Sequence, residues 1–206
     1  IATSASALIA TDFFLGNCDK AFTTLSLQNR AELVKYYEAK LPAKTSGKAG
    51  GQSTELIEAD DEHLVVSTSS ASSDALYVVP VGKRDTVLVV IHSVNLPAKD
   101  CSVEFFNKDW RKFISPKFFQ EIELNDWILP NSPQNLVTLL KESALFVPAS
   151  MTMRKITDEK GRIRYFLEAS HSLESFLPKH IFDEVKAILR PSITFQYKSS
   201  RWQKVK

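Results

Sequence analysis

The middle of the chain alternates between apolar and polar residues with a period of two. Four such runs lie between residues 54 and 94, short turn sequences separate them, and a fifth follows the corner at Pro97. Alternation of this kind is typical of β-strands that bury one face, and connections this short join antiparallel neighbours. We therefore predict an antiparallel meander. Its strands are TELIEA (54–59), HLVVSTS (63–69), DALYVVPV (74–81), DTVLVVIHSV (85–94) and CSVEFFNK (101–108).

A helical pattern precedes the meander, over residues 12–41. Apolar residues recur there at spacings of three and four, which places them on one face of a helix. Ser26 is suited to the N-cap position, and Pro42 ends the helix. We expect this face to be buried. Its members are Leu27, Ala31, Val34, Tyr37 and Leu41.

The second half of the chain contains fewer strands and more helix. Its predicted elements are a helix over residues 132–142 with Ser132 as N-cap, a hairpin of strands 151–157 and 162–170, a helix over 177–191 and a last strand over 192–198. Strands that come in runs, with helices set apart from them, favour the α+β class. We predict an antiparallel sheet, a meander plus a second hairpin, packed against two or three helices.

Length and composition indicate a single globular domain over residues 1–206. We expect a poorly ordered N-terminus over residues 1–11 after a removed signal peptide, a helix and meander over 12–115, and a hairpin–helix–strand part of the same domain over 116–206. Hydrophobic residues make up 44% of the chain, enough for a core. The net charge of +2 creates no field that would attract nucleic acid. The longest apolar run, residues 87–91, is too short to span a membrane.

The chemical motifs of common enzymes do not occur in this chain. It has no glycine-rich phosphate loop, no Gly-x-Ser-x-Gly sequence and no histidine pair at metal-ligand spacing, so we predict no cofactor and no metal. The remaining catalytic candidate is Cys101 as nucleophile, with His92 as base and Asp100 or Asp109 as the residue that orients it. Neighbouring strands could bring residues 92 and 101 together, as such a mechanism requires.

A structural interpretation of the same residues is favoured by their surroundings. His92 shares its strand face with Leu88, Val90 and Val94, so we expect a histidine at the edge of the core, bonded to a backbone carbonyl. Asp100, before an extended run, is typical of a corner residue that accepts hydrogen bonds from backbone amides.

Three other sets of residues also have two interpretations. Cys18 and Cys101 could form a disulfide, although two unpaired thiols are the preferred interpretation. Residues 60–62 could supply a glycosidase carboxylate pair, but their position between two short strands favours a hairpin turn. The three tryptophans could line a groove, yet large hydrophobic residues belong more often to a core. They are Trp110, Trp127 and Trp202.

Several segments resemble a family of uncharacterised exported proteins from Bacteroidales bacteria, known as a domain of unknown function. The most recognisable block combines Pro97-x-x-Asp100 with Phe105-Phe106-x-x-Asp109-Trp110, and the likeness covers about residues 12–115. Further similar segments are DFFLGNC (12–18), NRAELVKYYEAK (29–40), TELIEADDEHLVV (54–66) and ALYVVPV (75–81). The resemblance implies export to the periplasm or cell surface and carries over no functional residues.

Three functions are compatible with these observations. The leading hypothesis is an exported binding or structural protein without catalytic activity, whose partner is a protein or a glycan. One alternative is a cysteine-dependent hydrolase that uses Cys101 and His92. The other is a subunit of a cell-surface assembly, for which we expect an exposed apolar patch or an unpaired strand edge.

Overall fold

A computed structural model describes residues 10–46, 53–82, 85–95 and 97–205. The chain forms two compact units: Ile1–Ser93 with Ser102–Phe113, and Val94–Cys101 with Ile114–Lys206. About 25% of the chain is helical and 41% is strand, in two antiparallel sheets, which confirms the α+β class. The assignment of residues 1–206 to one domain stays a prediction. Of the expected N-terminal segment, residues 1–9 lie outside the described residues, and Ala10 begins the first helix.

The first unit contains a six-stranded sheet in which each strand pairs with the next along the chain. This confirms the meander, because its last five strands match the predicted ones to within two residues at either end. The first strand is an addition, only three residues long. The strands are β1 (Lys44–Ser46), β2 (Ser53–Ala59), β3 (His63–Ser69), β4 (Ser72–Val81), β5 (Asp85–Val94) and β6 (Asp100–Asn107).

Two helices pack against this sheet, α1 (Ala10–Leu15) and α2 (Leu27–Glu38). Ser26 is the N-cap of α2, as predicted: its hydroxyl accepts a hydrogen bond from the Asn29 N–H at 3.1 Å, while the side-chain Oδ1 of Asn29 accepts one from the Ser26 N–H at 3.3 Å. Such a capping box satisfies two amides that the first helical turn leaves unpaired. The continuous helical pattern over residues 12–41 is therefore divided into two helices.

The buried face of α2 differs from the predicted one. Leu27 and Leu41 are exposed, whereas Arg30 and Leu33 are fully buried. Arg30 is accommodated on the inner face because its guanidinium donates to the buried carbonyl oxygen of Leu25 and to the partly buried one of Gly16. A pattern of apolar residues could not reveal that an arginine belongs to the inner face.

The core of the first unit lies between its helices and one face of the sheet. Period-two alternation brings the even-numbered residues of β4 and β5 to this face, with Leu76, Leu88 and Val90 completely buried. The cluster also contains Phe14, Phe22, Leu25, Leu33, Leu56, Leu64, Val66, Val78 and Phe106.

The second unit contains a four-stranded antiparallel sheet in the order β10-β9-β8-β7. The predicted hairpin and last strand are confirmed, and β10 is an additional strand. The elements are α3 (Gln134–Ser143), β7 (Ala149–Thr157), β8 (Ile163–His171), α4 (Leu173–Phe176), α5 (Lys179–Val185), β9 (Ser192–Lys198) and β10 (Arg201–Lys204), with 3-10 turns at Leu124–Trp127 and Lys186–Ile188.

Two helix boundaries in this unit differ from prediction. Pro133, rather than Ser132, occupies the N-cap of α3, because the Ser132 hydroxyl donates instead to the Leu129 carbonyl oxygen at 2.6 Å. The helix predicted over residues 177–191 is shorter: α5 ends at Val185 and continues as a 3-10 turn to Ile188. Val185, Ile188 and Leu189 of this segment are buried.

Candidate functional site

His92 lies near the end of β5, on the face of the sheet that carries the core. Its ring is held between two carboxylates from the neighbouring strands. Nδ1 lies 2.8 Å from Asp74 Oδ1 of β4, and Nε2 lies 3.5 Å from Glu104 Oε2 of β6. The other carboxylate oxygen of Glu104 forms an ion pair with Lys112. We call these four residues the His92 cluster.

The His92 cluster is partly shielded from water. The side chain of Asp74 is 13% exposed and that of His92 is 27% exposed. The hydrogen bond that His92 donates to Asp74 raises the pKa of His92; desolvation opposes this effect, and the negative charges of Asp74 and Glu104 add to it. The imidazolium form of the ring is thus favoured. A positively charged ring bonded on both sides is poorly suited to take a proton from a nucleophile.

The structure corrects one part of the expectation for His92. The ring does lie at the edge of a core, beside Val90, but it is bonded to carboxylates and not to a backbone carbonyl. The two carboxylates face different ring nitrogens, so their oxygens do not converge on one point as metal ligands must. Within the described ranges, no group of three or more His, Cys, Asp or Glu side chains could hold a metal ion.

Cys101 has surroundings that disfavour its thiolate. Burial raises the pKa of the thiol to about 11, although a hydrogen bond from the Met151 N–H to the sulfur acts in the opposite direction. Catalytic cysteines have lowered pKa values, commonly because a cation lies nearby. Here the charge that acts on the thiol is that of Asp100, which raises the pKa further. The favoured interpretation, in which Cys101, His92 and Asp100 are not catalytic, stays a prediction.

Asp100 and Asp109 have structural contacts. Asp100 Oδ1 accepts a hydrogen bond from the Ala149 N–H at 3.2 Å, which is the corner role expected from sequence. Asp109 lies in the exposed turn after β6, where its N–H donates to the side chain of Asn107 at 3.0 Å.

Asp74, Glu104 and Lys112 were missed by the sequence analysis. A signal for two of them was present: Asp74 and Glu104 occupy positions of β4 and β6 where the apolar face continues with an acidic residue. Polar residues that extend the inner face of adjacent strands meet across the sheet, so the period-two pattern could have brought both acids to His92. Lys112 follows β6 in an irregular segment and had no comparable signal.

A second histidine, His63, also lies between two carboxylates. Its Nδ1 is 2.8 Å from Asp60 Oδ2, its Nε2 is 3.2 Å from Glu58 Oε1, and its ring stacks on Tyr77. Asp60 occupies the predicted hairpin turn, where its Oδ1 atom accepts hydrogen bonds from the backbone N–H groups of Glu62 and His63. Partial desolvation raises the pKa of Asp60, but these donors outweigh it and the pKa is lowered.

The cysteines and tryptophans mostly have the structural roles favoured by the sequence. Both cysteines are free thiols, and the Cys18 S–H donates to the Phe14 carbonyl oxygen within the core. Trp127 and Trp202 are buried, and Trp110 packs against the core of the first unit. The tryptophans therefore do not form an exposed aromatic platform.

An exposed apolar cluster lies on the helical part of the second unit. Leu145, two residues after the end of α3, is 97% exposed, and Phe146 is 55% exposed. The ring of Phe146 contacts that of Phe176, at the end of α4, with centroids 5.3 Å apart and planes tilted by 51°. We call these three residues the apolar cluster. Contiguous exposed apolar surface is a feature of protein–protein interaction sites.

Comparisons with known proteins place the chain in a family. The model of the family described as "Protein of unknown function (DUF3256)" matches residues 2–202. The chain belongs to this family. The family extends over almost the whole chain, well beyond the segments at residues 12–115 that carried the resemblance, and its description names no activity. No curated protein matches the chain.

A solved structure has the same fold as this member of the family. It is described as "Structure of a domain of an uncharacterized protein from Porphyromonas gingivalis W83". The likeness covers 95% of this chain and 96% of that one, with a TM-score of 0.70 and 16% sequence identity. At this identity the likeness concerns the fold alone.

None of the helices in the described ranges has both the length and the apolar character needed to cross a membrane.

Proposed function

We propose that the chain is an exported binding or structural protein without catalytic activity, and that the apolar cluster is the surface through which it docks to a partner protein. The exposure of Leu145 carries this proposal. A leucine with almost its entire side chain in water, next to a half-exposed phenylalanine, gains stability when a partner covers it. Export to the periplasm or cell surface rests on the sequence resemblance.

The chemistry of the apolar cluster favours a protein over a glycan as partner. Sugar rings bind to flat aromatic platforms that are surrounded by hydrogen-bonding groups. Leu145 has no aromatic ring, and the rings of Phe146 and Phe176 are tilted against each other and do not form one flat surface. Aliphatic and phenylalanine side chains fit instead into apolar pockets of another protein.

The proposal of a non-catalytic protein is supported by the state of the best nucleophile. With a pKa of about 11, Cys101 is a thiolate far less often at neutral pH than an ordinary cysteine, by roughly a hundredfold. We expect slow alkylation of Cys101 by iodoacetamide in folded protein at pH 7, measured in a Cys18→Ser background. Fast alkylation at this pH that is lost in His92→Ala would overturn the proposal in favour of the hydrolase.

The docking surface is tested by site-specific photo-crosslinking in cells that naturally produce the chain. A photoreactive residue at position 145 should give a discrete protein adduct, and the adduct should form again with the purified partner and disappear with Phe146→Ser. The matched control is position 114, because Ile114 is 85% exposed but lies outside the cluster. Adducts at 114 equal to those at 145, or none at 145, contradict the proposal.

A subunit of a cell-surface assembly is the second candidate, favoured by the same apolar cluster, since assemblies bury such surfaces between their subunits. Adducts that belong to one stable complex of several components would favour it over a transient binding protein. Fractionation of the same cells tests export, and recovery of the chain in the cytoplasm alone would overturn that part.

A further inference from the structure

We propose that His92 is a proton-dependent clasp, which holds two strands of the meander through their carboxylates when the ring is charged and releases one of them when the ring is neutral. The clasp is independent of the docking function proposed above. It concerns the first unit alone, where β4, β5 and β6 lie side by side.

The clasp follows from the number of protons that an imidazole ring carries. A charged ring has an N–H on each nitrogen, whereas a neutral ring has one N–H and one lone pair. His92 has an ionisable carboxyl group opposite each nitrogen, from Asp74 on one side and Glu104 on the other. Two ionised carboxylates are acceptors only, so the neutral ring can donate to just one of them and turns a lone pair toward the other.

Glu104 is the carboxylate that a neutral ring releases. Its contact with the ring is 3.5 Å, against 2.8 Å for Asp74, and its other oxygen already has Lys112 as a cationic partner. Asp74 is more deeply buried, and we expect the remaining N–H to stay with it. Proton loss therefore breaks the side-chain contact between β5 and β6 and keeps the one between β4 and β5, while the backbone pairing of the strands remains.

The charges around the ring explain why this proton is held strongly. Asp74 faces it from β4 and Glu104 from β6, and Lys112 reaches Glu104 from the segment after β6. On β5 itself, the neighbours on the same face are apolar, Val90 and Val94. The four charges sum to zero with the proton bound and to −1 without it. The raised pKa of His92 has the same cause, with its Asp74 hydrogen bond as the largest contribution.

Release of Glu104 affects the outer edge of the meander. Residues 111–113 run back alongside β6 and form two backbone hydrogen bonds with it. The Phe113 N–H donates to the Phe105 carbonyl oxygen at 2.8 Å, and the Asn107 N–H donates to the Arg111 carbonyl oxygen at 3.0 Å. Because Lys112 lies in this segment and bonds to Glu104, the clasp ties the outer edge to the inner strands. We expect the edge to open more often when His92 is neutral.

The direction of the pH effect follows from linkage. The folded protein binds the His92 proton more tightly than the unfolded chain, so this contribution to stability is fully present below the unfolded pKa of about 6.5 and is lost as the pH rises through the folded pKa. Backbone hydrogen exchange, read by NMR and corrected for the intrinsic exchange rate, reports this opening residue by residue.

The test compares protection of the Asn107 and Phe113 amides between pH 5.5 and pH 8.5. We expect a loss of about threefold or more in the wild type at pH 8.5 relative to pH 5.5. The loss should vanish in His92→Gln, because glutamine does not titrate. His63→Gln is the matched control: it removes the other histidine between two carboxylates and should retain the wild-type loss at both amides.

If His92→Gln does not fold, a second variant tests the proposal. Glu104→Gln retains the histidine and removes the carboxylate that is released, so the pH dependence at Phe113 should shrink, and the NMR-measured pKa of His92 should fall toward that of ordinary histidine. Equal protection of Phe113 at both pH values in the wild type, or the same loss in wild type and His92→Gln, would overturn the proposal.

Discussion

Arg30 of α2 lies with its Nη1 atom 2.7 Å from Asp19 Oδ1, in the turn between α1 and α2. The two residues differ greatly in burial: the arginine side chain is 1% exposed and the aspartate 61%. The same guanidinium donates to the carbonyl oxygens of Gly16 and Leu25, and its carbon lies 6.0 Å from the centre of the Phe14 ring. Arg30 therefore joins the two helices from within the core.

The first prediction concerns the replacement of this buried arginine. Arg30→Met fills similar space but removes the guanidinium donor from the buried carbonyl oxygen of Leu25 and leaves that of Gly16 with the Cys18 N–H alone, and we expect a loss of about 2 to 3 kcal/mol in the free energy of unfolding. Asp19 is largely solvated and contributes little to this loss. Urea denaturation followed by circular dichroism measures the change. Arg30→Lys is the control, and an intermediate loss is expected because an ammonium group lacks the planar fork of donors.

This prediction has a clear alternative outcome. Buried ion pairs can be replaced by apolar residues without loss when the new packing is good. A methionine variant as stable as the wild type would show that the bonds of Arg30 orient the helices without stabilising them.

The second prediction concerns the end of α2, where Lys40 adopts a left-handed conformation with φ of 56°. The Lys40 N–H donates to the Tyr37 carbonyl oxygen, and the Leu41 N–H donates to the Tyr36 carbonyl oxygen. These two bonds form a Schellman motif. Glycine adopts this conformation without strain, so Lys40→Gly should raise the free energy of unfolding by about 0.5 to 1 kcal/mol. Thermal denaturation of the variant measures the gain.

Lys40→Ala separates backbone conformation from charge. Alanine removes the same ammonium group but retains the Cβ atom that strains a left-handed residue, so no gain is expected. If both variants are stabilised equally, the cause is the lost charge and the conformational argument is wrong.

The third prediction concerns His171, the last residue of β8. Its ring packs edge-on against Trp127, with centroids 5.5 Å apart, and its buried Nδ1 atom has no hydrogen-bond partner among the described residues. Desolvation lowers the pKa of His171, and the charge of Glu174 opposes this only in part. The unfolded chain thus takes up this proton more readily, and stability falls as the pH drops below about 6.5.

His171→Phe should make this acid-induced decline shallower, because phenylalanine retains the aromatic contact and does not titrate. Urea denaturation between pH 5 and pH 8 measures the slope. His180→Phe, an exposed histidine of the same unit, is the matched control and should keep the wild-type slope. A decline unchanged in His171→Phe would mean that other groups cause it.

The elements that the sequence predicted well are those whose own residues carry the signal. The long strands of the meander are runs of seven or more residues bounded by short turn sequences, and Ser26 has the side chain that caps a helix. Strands β1 and β10 have only three and four residues, too few for a period to appear, and they form because a neighbouring strand supplies the partners. The candidate site divides in the same way, since His92 was recognised on its own strand and its carboxylate partners were not.

By itself, the sequence determined the α+β class, the order of the main strands and the antiparallel meander, because short turns and local alternation leave few other arrangements. Only the tertiary structure decided that Arg30 faces inward and that Asp74 and Glu104 flank His92. These contacts join residues that are 11 to 18 positions apart in the chain. Their formation depends on strand register and helix rotation, which are set by the packing of the whole unit and not by the pattern of any one segment.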